Sequence, residues 1–140
     1  MEPTGFLQGL VLVVDDRKNW RETLEELLQA DGHQVRTASS LAEAKASLRA
    51  QDFDVAILDI RLLDESRYDV QGLQLLKEIK TMGLRASVIV MTGYAPPDTE
   101  ACVQQAGADV FTFKTPQGGF DIVQFRATIR DLVQQARCGL

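Results

Sequence analysis

Five polar side chains in this sequence each come directly after an apolar run. Asp15 and Asp16 follow one run, Asp59 follows a second, and Thr92 and Lys114 follow two more. Apolar runs of this kind are typical of strands buried on both faces of a parallel sheet. Ligands of such sheets bind beyond the carboxyl ends of the strands, so we expect the five side chains at one edge.

The side-chain types expected at this edge suit phosphoryl transfer to a carboxylate. Three neighbouring carboxylates repel one another, and a hard cation such as Mg²⁺ relieves the repulsion through oxygen ligands. The cation and the Lys114 ammonium can neutralise phosphoryl oxygens while Asp59 attacks, and Thr92 offers a hydroxyl donor. Taken singly, Asp15 and Asp16 could cap a helix. Their joint position after buried strands favours a functional site.

Strands and helices are predicted to alternate five times, which gives a single α/β domain. The pattern favours a (βα)5 doubly wound fold: a five-stranded parallel sheet with right-handed crossovers and helices on both faces. The last helix is expected to bury Ile122, and Trp20 is expected to pack in the core. We interpret residues 1–9 as an N-terminal leader, 10–137 as the domain and 138–140 as a C-terminal tail.

Composition narrows the class of protein. A net charge of −5 gives no support to nucleic-acid binding by this domain, which needs a basic face. The two cysteines are far apart and form no CxxC, which argues against a zinc site and suits a reducing compartment. No secretory signal or apolar run of roughly 20 residues is present. A cytoplasmic protein without membrane contact is therefore expected.

The chain resembles the receiver domain of two-component response regulators, of the chemotaxis type, from about residue 10 to residue 133. The resemblance rests on the motifs VLVVDD, DVAILDIRL, VIVMTG and, after GAD, VFTFK. It implies a flavodoxin-like fold with strand order 2-1-3-4-5.

The resemblance also implies roles in phosphoryl transfer. Asp59 would be the phosphoacceptor, paired with Lys114. Asp16 would bind Mg²⁺ (or Mn²⁺) directly, together with Asp59, and Asp15 would act largely through water. The backbone carbonyl of Arg61 would complete the metal shell.

A conformational switch is implied as well. Thr92 would turn toward the phosphoryl group and Phe111 would move inward with it, which changes the face of the fourth helix, fifth strand and fifth helix.

The phosphoryl donor would be a histidine kinase or phosphotransfer protein. The output domain or target protein is not indicated, and a homodimer through the switch face is a further hypothesis. Enzymatic activity would be limited to self-catalysed phosphorylation and dephosphorylation of the aspartate.

Three features depart from the family pattern. The loop at 60–71 is about five residues longer than usual and lacks proline; it is either a tolerated insertion or a lid or partner contact. Thr115 separates Lys114 from Pro116, so a retained cis bond would fall at Thr115–Pro116. Tyr94 and Arg61 occupy positions that tune dephosphorylation, and we hypothesise that they shield the acyl phosphate. Tyr94 could equally pack on the loop.

Two other functional classes remain open from the residues. A pseudo-receiver would bind partners without cycling. A haloacid-dehalogenase-type hydrolase would need a second aspartate two residues after the nucleophile, where this chain has Arg61. A flavin carrier is disfavoured because Asp15 and Asp16 would repel the phosphate.

Overall fold

Strands and helices alternate along the chain as the sequence predicts. The computed structural model describes residues 8–59, 71–93, 99–114 and 121–138, with the backbone alone for 71–73, 99 and 138. Its strands are β1 (Leu10–Val14), β2 (Gln34–Ala38), β3 (Val55–Asp59), β4 (Ser87–Thr92) and β5 (Val110–Phe113). Its helices are α1 (Lys18–Ala30), α2 (Leu41–Ala50), α3 (Gln71–Thr81), α4 (Thr99–Gln105) and α5 (Ile122–Cys138).

The strands form one sheet in the order β2-β1-β3-β4-β5, and every pairing is parallel. This confirms the predicted fold and strand order. The order reverses direction between β1 and β3, which makes the gap beyond their carboxyl ends the expected place for a ligand. The register aligns those ends, since Val14 pairs with Leu58 and Asp59 with Met91.

Two apolar clusters cover the two faces of the sheet. Successive strand residues point to opposite faces, so alternate positions of each buried strand supply each cluster. Helices α1 and α5 cover one face, and α2, α3 and α4 cover the other. No helix in the described ranges has the length and apolar character needed to cross a membrane.

Helix ends follow local rules in most places. Ser40 caps α2 by accepting the Glu43 N–H at 3.2 Å, and the Glu43 carboxylate accepts the Ser39 N–H at 2.8 Å. These two bonds form a capping box whose return bond is shifted by one residue. Gly32 ends α1 with φ of 93°, a backbone conformation that side-chain-bearing residues rarely adopt.

One core prediction is wrong. Ile122 is 47% exposed. It opens the first turn of α5, and the buried stripe of that helix begins one turn later at Phe125 and continues through Ile129 and Val133. Helical periodicity identifies the apolar stripe but not where the helix first meets the sheet.

A buried carboxylate holds the edge of the sheet opposite the strand carboxyl ends. Asp54, fully buried just before β3, accepts the Leu10 N–H at 2.8 Å. The Arg137 guanidinium, near the end of α5, donates to the same oxygen at 2.9 and 3.1 Å. A nitrogen of Arg85 lies 2.7 Å from the other oxygen and forms an ion pair with it. Asp54 thus joins β1, β3 and α5.

A buried histidine lies at the same edge. His33 accepts the backbone N–H of Gly9 at 3.0 Å through Nδ1. Burial lowers the pKa of His33 below its ordinary value, although Asp31 and Asp54 act in the opposite direction. The folded protein therefore favours the neutral imidazole, whose Nδ1 can accept this hydrogen bond.

Candidate functional site

An ammonium group bridges two buried carboxylates at the carboxyl edge of the sheet. Lys114 Nζ lies 2.5 Å from Asp15 Oδ2 and 3.0 Å from Asp59 Oδ2. The three side chains are 10%, 3% and 5% exposed, so this charge pairing takes place largely away from water. The structure brings together residues from the ends of β1, β3 and β5, as the sequence predicts.

Backbone hydrogen bonds fix the position of Asp15. Its N–H donates to the Ala38 carbonyl at the end of β2, and its carbonyl accepts from the Arg21 guanidinium at 2.8 Å. Its second carboxylate oxygen accepts the Arg17 N–H at 2.9 Å. Arg17 is the N-cap residue of α1, so neither aspartate of the pair occupies the capping position.

Asp16 completes a cluster of carboxylates. Asp15, Asp16 and Asp59 each offer an oxygen, and the three oxygens lie within 4.8 Å of one another. Burial, followed by the negative charges of Asp15 and Asp59, raises the pKa of the Asp16 carboxyl. One oxygen of Asp16 is buried and accepts no hydrogen bond from any residue in the described ranges.

The residues present fit a hard divalent cation. A buried carboxylate oxygen without a donor is unusual, because its desolvation is not offset. A group of hard oxygen donors is what Mg²⁺, Mn²⁺ or Ca²⁺ takes as ligands. The cluster of three carboxylates is therefore a candidate metal centre with the donor set predicted from the sequence.

Thr92 and Lys114 are held next to each other by the sheet. Thr92 is the last residue of β4 and is 1% exposed. Its carbonyl accepts the Lys114 N–H at 2.9 Å, so β4 positions the backbone from which the Lys114 side chain extends. Thr92 was expected directly after the apolar run; it is instead the last residue of the strand, at the predicted edge of the sheet.

Phe111 lies on the face predicted for the switch. It is half-buried on β5 and packs against the cluster formed with α2, α3 and α4. Its ring meets that of Phe113 edge to face, with 5.3 Å between centroids and 82° between planes. A ring in partial contact with the core can adopt a second packing, but its role as a switch remains a prediction.

Several predicted site features lie outside the described residues. These are the Arg61 carbonyl, the side chain of Tyr94, the Thr115–Pro116 bond and the loop from residue 60 to residue 70. Their roles stay predictions.

One residue at the site was missed as a candidate. The ring of Trp20, on α1, lies 5.4 Å from Lys114 Nζ. This tryptophan was predicted to pack in the core, since it shares the apolar stripe of α1. Its place in the first turn of α1, four residues after Asp16, was the available signal, because the first turn of a helix stays close to the strand end that precedes it.

A five-stranded parallel sheet with three carboxylates and a lysine at its switch point defines the receiver class of α/β proteins. A family model described as the response regulator receiver domain matches residues 11–124. The chain belongs to this family.

Curated relatives of the chain are transcriptional regulators. The alginate biosynthesis transcriptional regulatory protein AlgB of Pseudomonas aeruginosa is 35% identical over 108 residues, covering 77% of this chain and 23% of the relative. The transcriptional regulatory protein ZraR of Escherichia coli is 33% identical over 98 residues, covering 70% of this chain and 21% of the relative. The chain thus spans less than a quarter of the length of these relatives.

Solved structures share the fold. NtrX of Brucella abortus, crystallised with ADP, superposes with a TM-score of 0.78 at 25% identity, over 94% of this chain and 28% of that one. A CheY-like response regulator receiver domain protein of Methanospirillum hungatei gives a TM-score of 0.80 at 23% identity, over 94% of this chain and 98% of that one. The second similarity concerns the fold alone.

Proposed function

We propose that this domain is a phosphorylation-driven switch in which Asp59 accepts a phosphoryl group in a Mg²⁺-dependent reaction. The observation that carries the proposal is the grouping of Asp15, Asp16 and Asp59 within 4.8 Å, with Lys114 Nζ 3.0 Å from Asp59. Membership of the receiver family supports the choice of Asp59 as acceptor.

Phosphoryl transfer would proceed by in-line attack at phosphorus. An oxygen of Asp59 forms the new O–P bond, while the bond from phosphorus to the donor's histidine nitrogen breaks and its electron pair leaves with the nitrogen. Lys114 already contacts the Asp59 carboxylate, and its ammonium can follow the negative charge onto the phosphoryl oxygens. Asp15 and Asp16, with the Arg61 carbonyl, would hold the cation, which when bound supplies positive charge to the same oxygens.

The switch would run from Thr92 to Phe111. Thr92 ends the strand beside β3, so its hydroxyl is one strand away from the phosphoryl group. A hydrogen bond made only in the phosphorylated state would shift the population between two packings of α4, β5 and α5. Tyr94 and Arg61 would slow hydrolysis of the acyl phosphate, and Tyr94→Ala would then shorten its lifetime.

The partners proposed are a histidine kinase or phosphotransfer protein as donor, and a transcriptional output as target. The output is proposed because AlgB and ZraR are transcriptional regulatory proteins of which this chain matches one part. The net charge of −5 disfavours DNA binding by this domain itself, so a DNA contact of the output would be made by other residues. The same α4, β5 and α5 face would serve in a homodimer.

The test is incubation with acetyl phosphate and Mg²⁺, followed by intact mass measurement. We expect a gain of one HPO₃ that is absent in EDTA and absent in Asp59→Asn. Asp131→Asn, at an exposed position of α5, is the matched control and should gain the group like the wild type. No adduct would indicate a pseudo-receiver, and turnover of phosphate monoesters would indicate a hydrolase.

A further inference from the structure

The ammonium of Lys114 has an aromatic neighbour in addition to its two carboxylates. The Trp20 ring centroid lies 5.4 Å from Nζ, within the roughly 6 Å over which a cation is attracted to the face of an indole. Tryptophan is the strongest of the aromatic side chains in this role. Trp20 is also the sole tryptophan of the chain, so its contribution can be isolated.

The contact adds something that the carboxylates do not provide. A lysine ammonium has three N–H donors, and Asp15 and Asp59 take two directions around it at 2.5 and 3.0 Å. The ammonium also lies over the indole ring, 5.4 Å from its centroid, and the Lys114 side chain is only 10% exposed. Trp20 therefore helps to keep water away from a charge whose electrostatic effect grows as water is excluded.

The indole is held in place by the fold. Trp20 lies in the first turn of α1 and packs, partly buried, against the apolar cluster beneath α1 and α5. A large ring fixed by packing has few alternative positions, so it can define the position of a flexible four-carbon side chain.

We propose that Trp20 is a positioning residue for phosphoryl transfer, holding the Lys114 ammonium against Asp59 through its indole face. This inference rests on the proposed function of Asp59 as phosphoacceptor. The attraction of a cation to a ring face does not fix the direction of any N–H group. Lys114 can therefore turn a donor from the carboxylate to a phosphoryl oxygen while it keeps the indole contact.

The first test detects the contact in the unphosphorylated protein. Lysine is labelled with ¹³C at Cε, and the Lys114 signal among those of the five lysines is assigned by its loss in Lys114→Arg. Protons above an aromatic face resonate upfield. We therefore expect the protons on Cε of Lys114 to resonate upfield in the wild type, to move to the ordinary lysine position in Trp20→Leu and to stay upfield in Trp20→Phe. An ordinary position in the wild type would overturn the inference, whatever the variants do.

The second test measures the rate of phosphorylation by acetyl phosphate and Mg²⁺. We expect Trp20→Leu to be slower by about three- to tenfold, the range that a cation–π contact of this kind supports, and Trp20→Phe to recover part of the rate. Leu27→Ala is the matched control, since Leu27 is also a partly buried α1 residue on the same cluster. It should react at the wild-type rate.

The outcomes separate the positioning role from the proposed function. If the wild type is phosphorylated and Trp20→Leu reacts equally fast, the positioning role alone is overturned. If Leu27→Ala is as slow as Trp20→Leu, general loss of packing explains the effect and the positioning role is again overturned. If the wild type gains no phosphoryl group even though the upfield signal is present, the proposed function fails first. Should Trp20→Leu not fold, the phosphorylation rate of Trp20→Phe, whose ring attracts a cation less strongly, must still lie below that of the wild type. An equal rate would then overturn the positioning role.

Discussion

Replacing Asp16 by Asn should make the protein more stable in the absence of divalent cations. Asp16 has a buried oxygen that receives no hydrogen bond from the part of the chain that the structure describes, and its pKa is raised by burial and by Asp15 and Asp59. A carboxyl whose pKa is higher in the folded state binds its proton more readily there. Its ionised form therefore destabilises the fold as pH rises from the ordinary value through the raised pKa, and the penalty is fully present above that raised pKa. Asparagine keeps the shape and removes the charge.

The magnitude follows from the separation of the charges. Two carboxylates with oxygens 4.8 Å apart repel by about 3.5 kcal/mol at an effective dielectric constant of about 20. Asp16 faces two such charges, and the Lys114 ammonium cancels much of one. Screening by salt at this partly exposed residue reduces the remainder. We expect Asp16→Asn to raise the free energy of unfolding by about 1–2 kcal/mol.

The assay is urea denaturation followed by circular dichroism, in EDTA and in excess Mg²⁺. A cation that binds the folded state alone stabilises the wild type, whereas Asp16→Asn should lose most of that gain. Asp131→Asn controls for the loss of a negative charge at an exposed position. An Asp16→Asn protein that is less stable than the wild type in EDTA would refute the reasoning. So would an equal stabilisation of both proteins by Mg²⁺.

Two further predictions concern the opposite edge of the sheet. Asp54→Asn should lower the free energy of unfolding by about 2–4 kcal/mol, because it leaves Arg85 and Arg137 without their buried counter-charge. Asp52→Asn, which removes a 70%-exposed partner of Arg85, should change the free energy of unfolding by less than about 1 kcal/mol in the same urea assay. An equal loss of stability in the two variants would contradict the burial argument. The lowered pKa of His33 means that stability is lost as pH falls below the ordinary value of 6.5, since the unfolded chain then binds the extra proton. The fall in the urea midpoint between about pH 7.5 and pH 5.5 should be smaller in His33→Gln, and an unchanged fall would exclude His33 as its cause.

The site was predictable because its geometry follows from a few general rules. Apolar runs identify buried strands, and parallel strands bring their carboxyl ends to one edge. Asp15, Asp59 and Lys114 could therefore be placed together although 55 residues separate the last two. The strand order was not available from the apolar pattern and came from the resemblance to receivers.

What the sequence did not predict depends on contacts between distant elements. In the sequence, Asp54 has the pattern of an ordinary polar residue before a strand. Its partner Arg137 lies 83 residues away on α5, so no local pattern indicates the pairing. Trp20 has the spacing of a core residue, and it does pack partly in the core. Helical periodicity cannot show that the Lys114 ammonium lies above its ring. The exposure of Ile122 depends on where α5 first meets the sheet.

The central claim is that Asp59 becomes an acyl phosphate. Reduction of the acetyl-phosphate-treated protein with borodeuteride converts an aspartyl phosphate to deuterated homoserine, which peptide mass spectrometry can locate. We predict deuterated homoserine at position 59, dependent on Mg²⁺ and absent in Asp59→Asn. Label at another carboxylate, or no label in a protein that folds and binds Mg²⁺, would contradict the account.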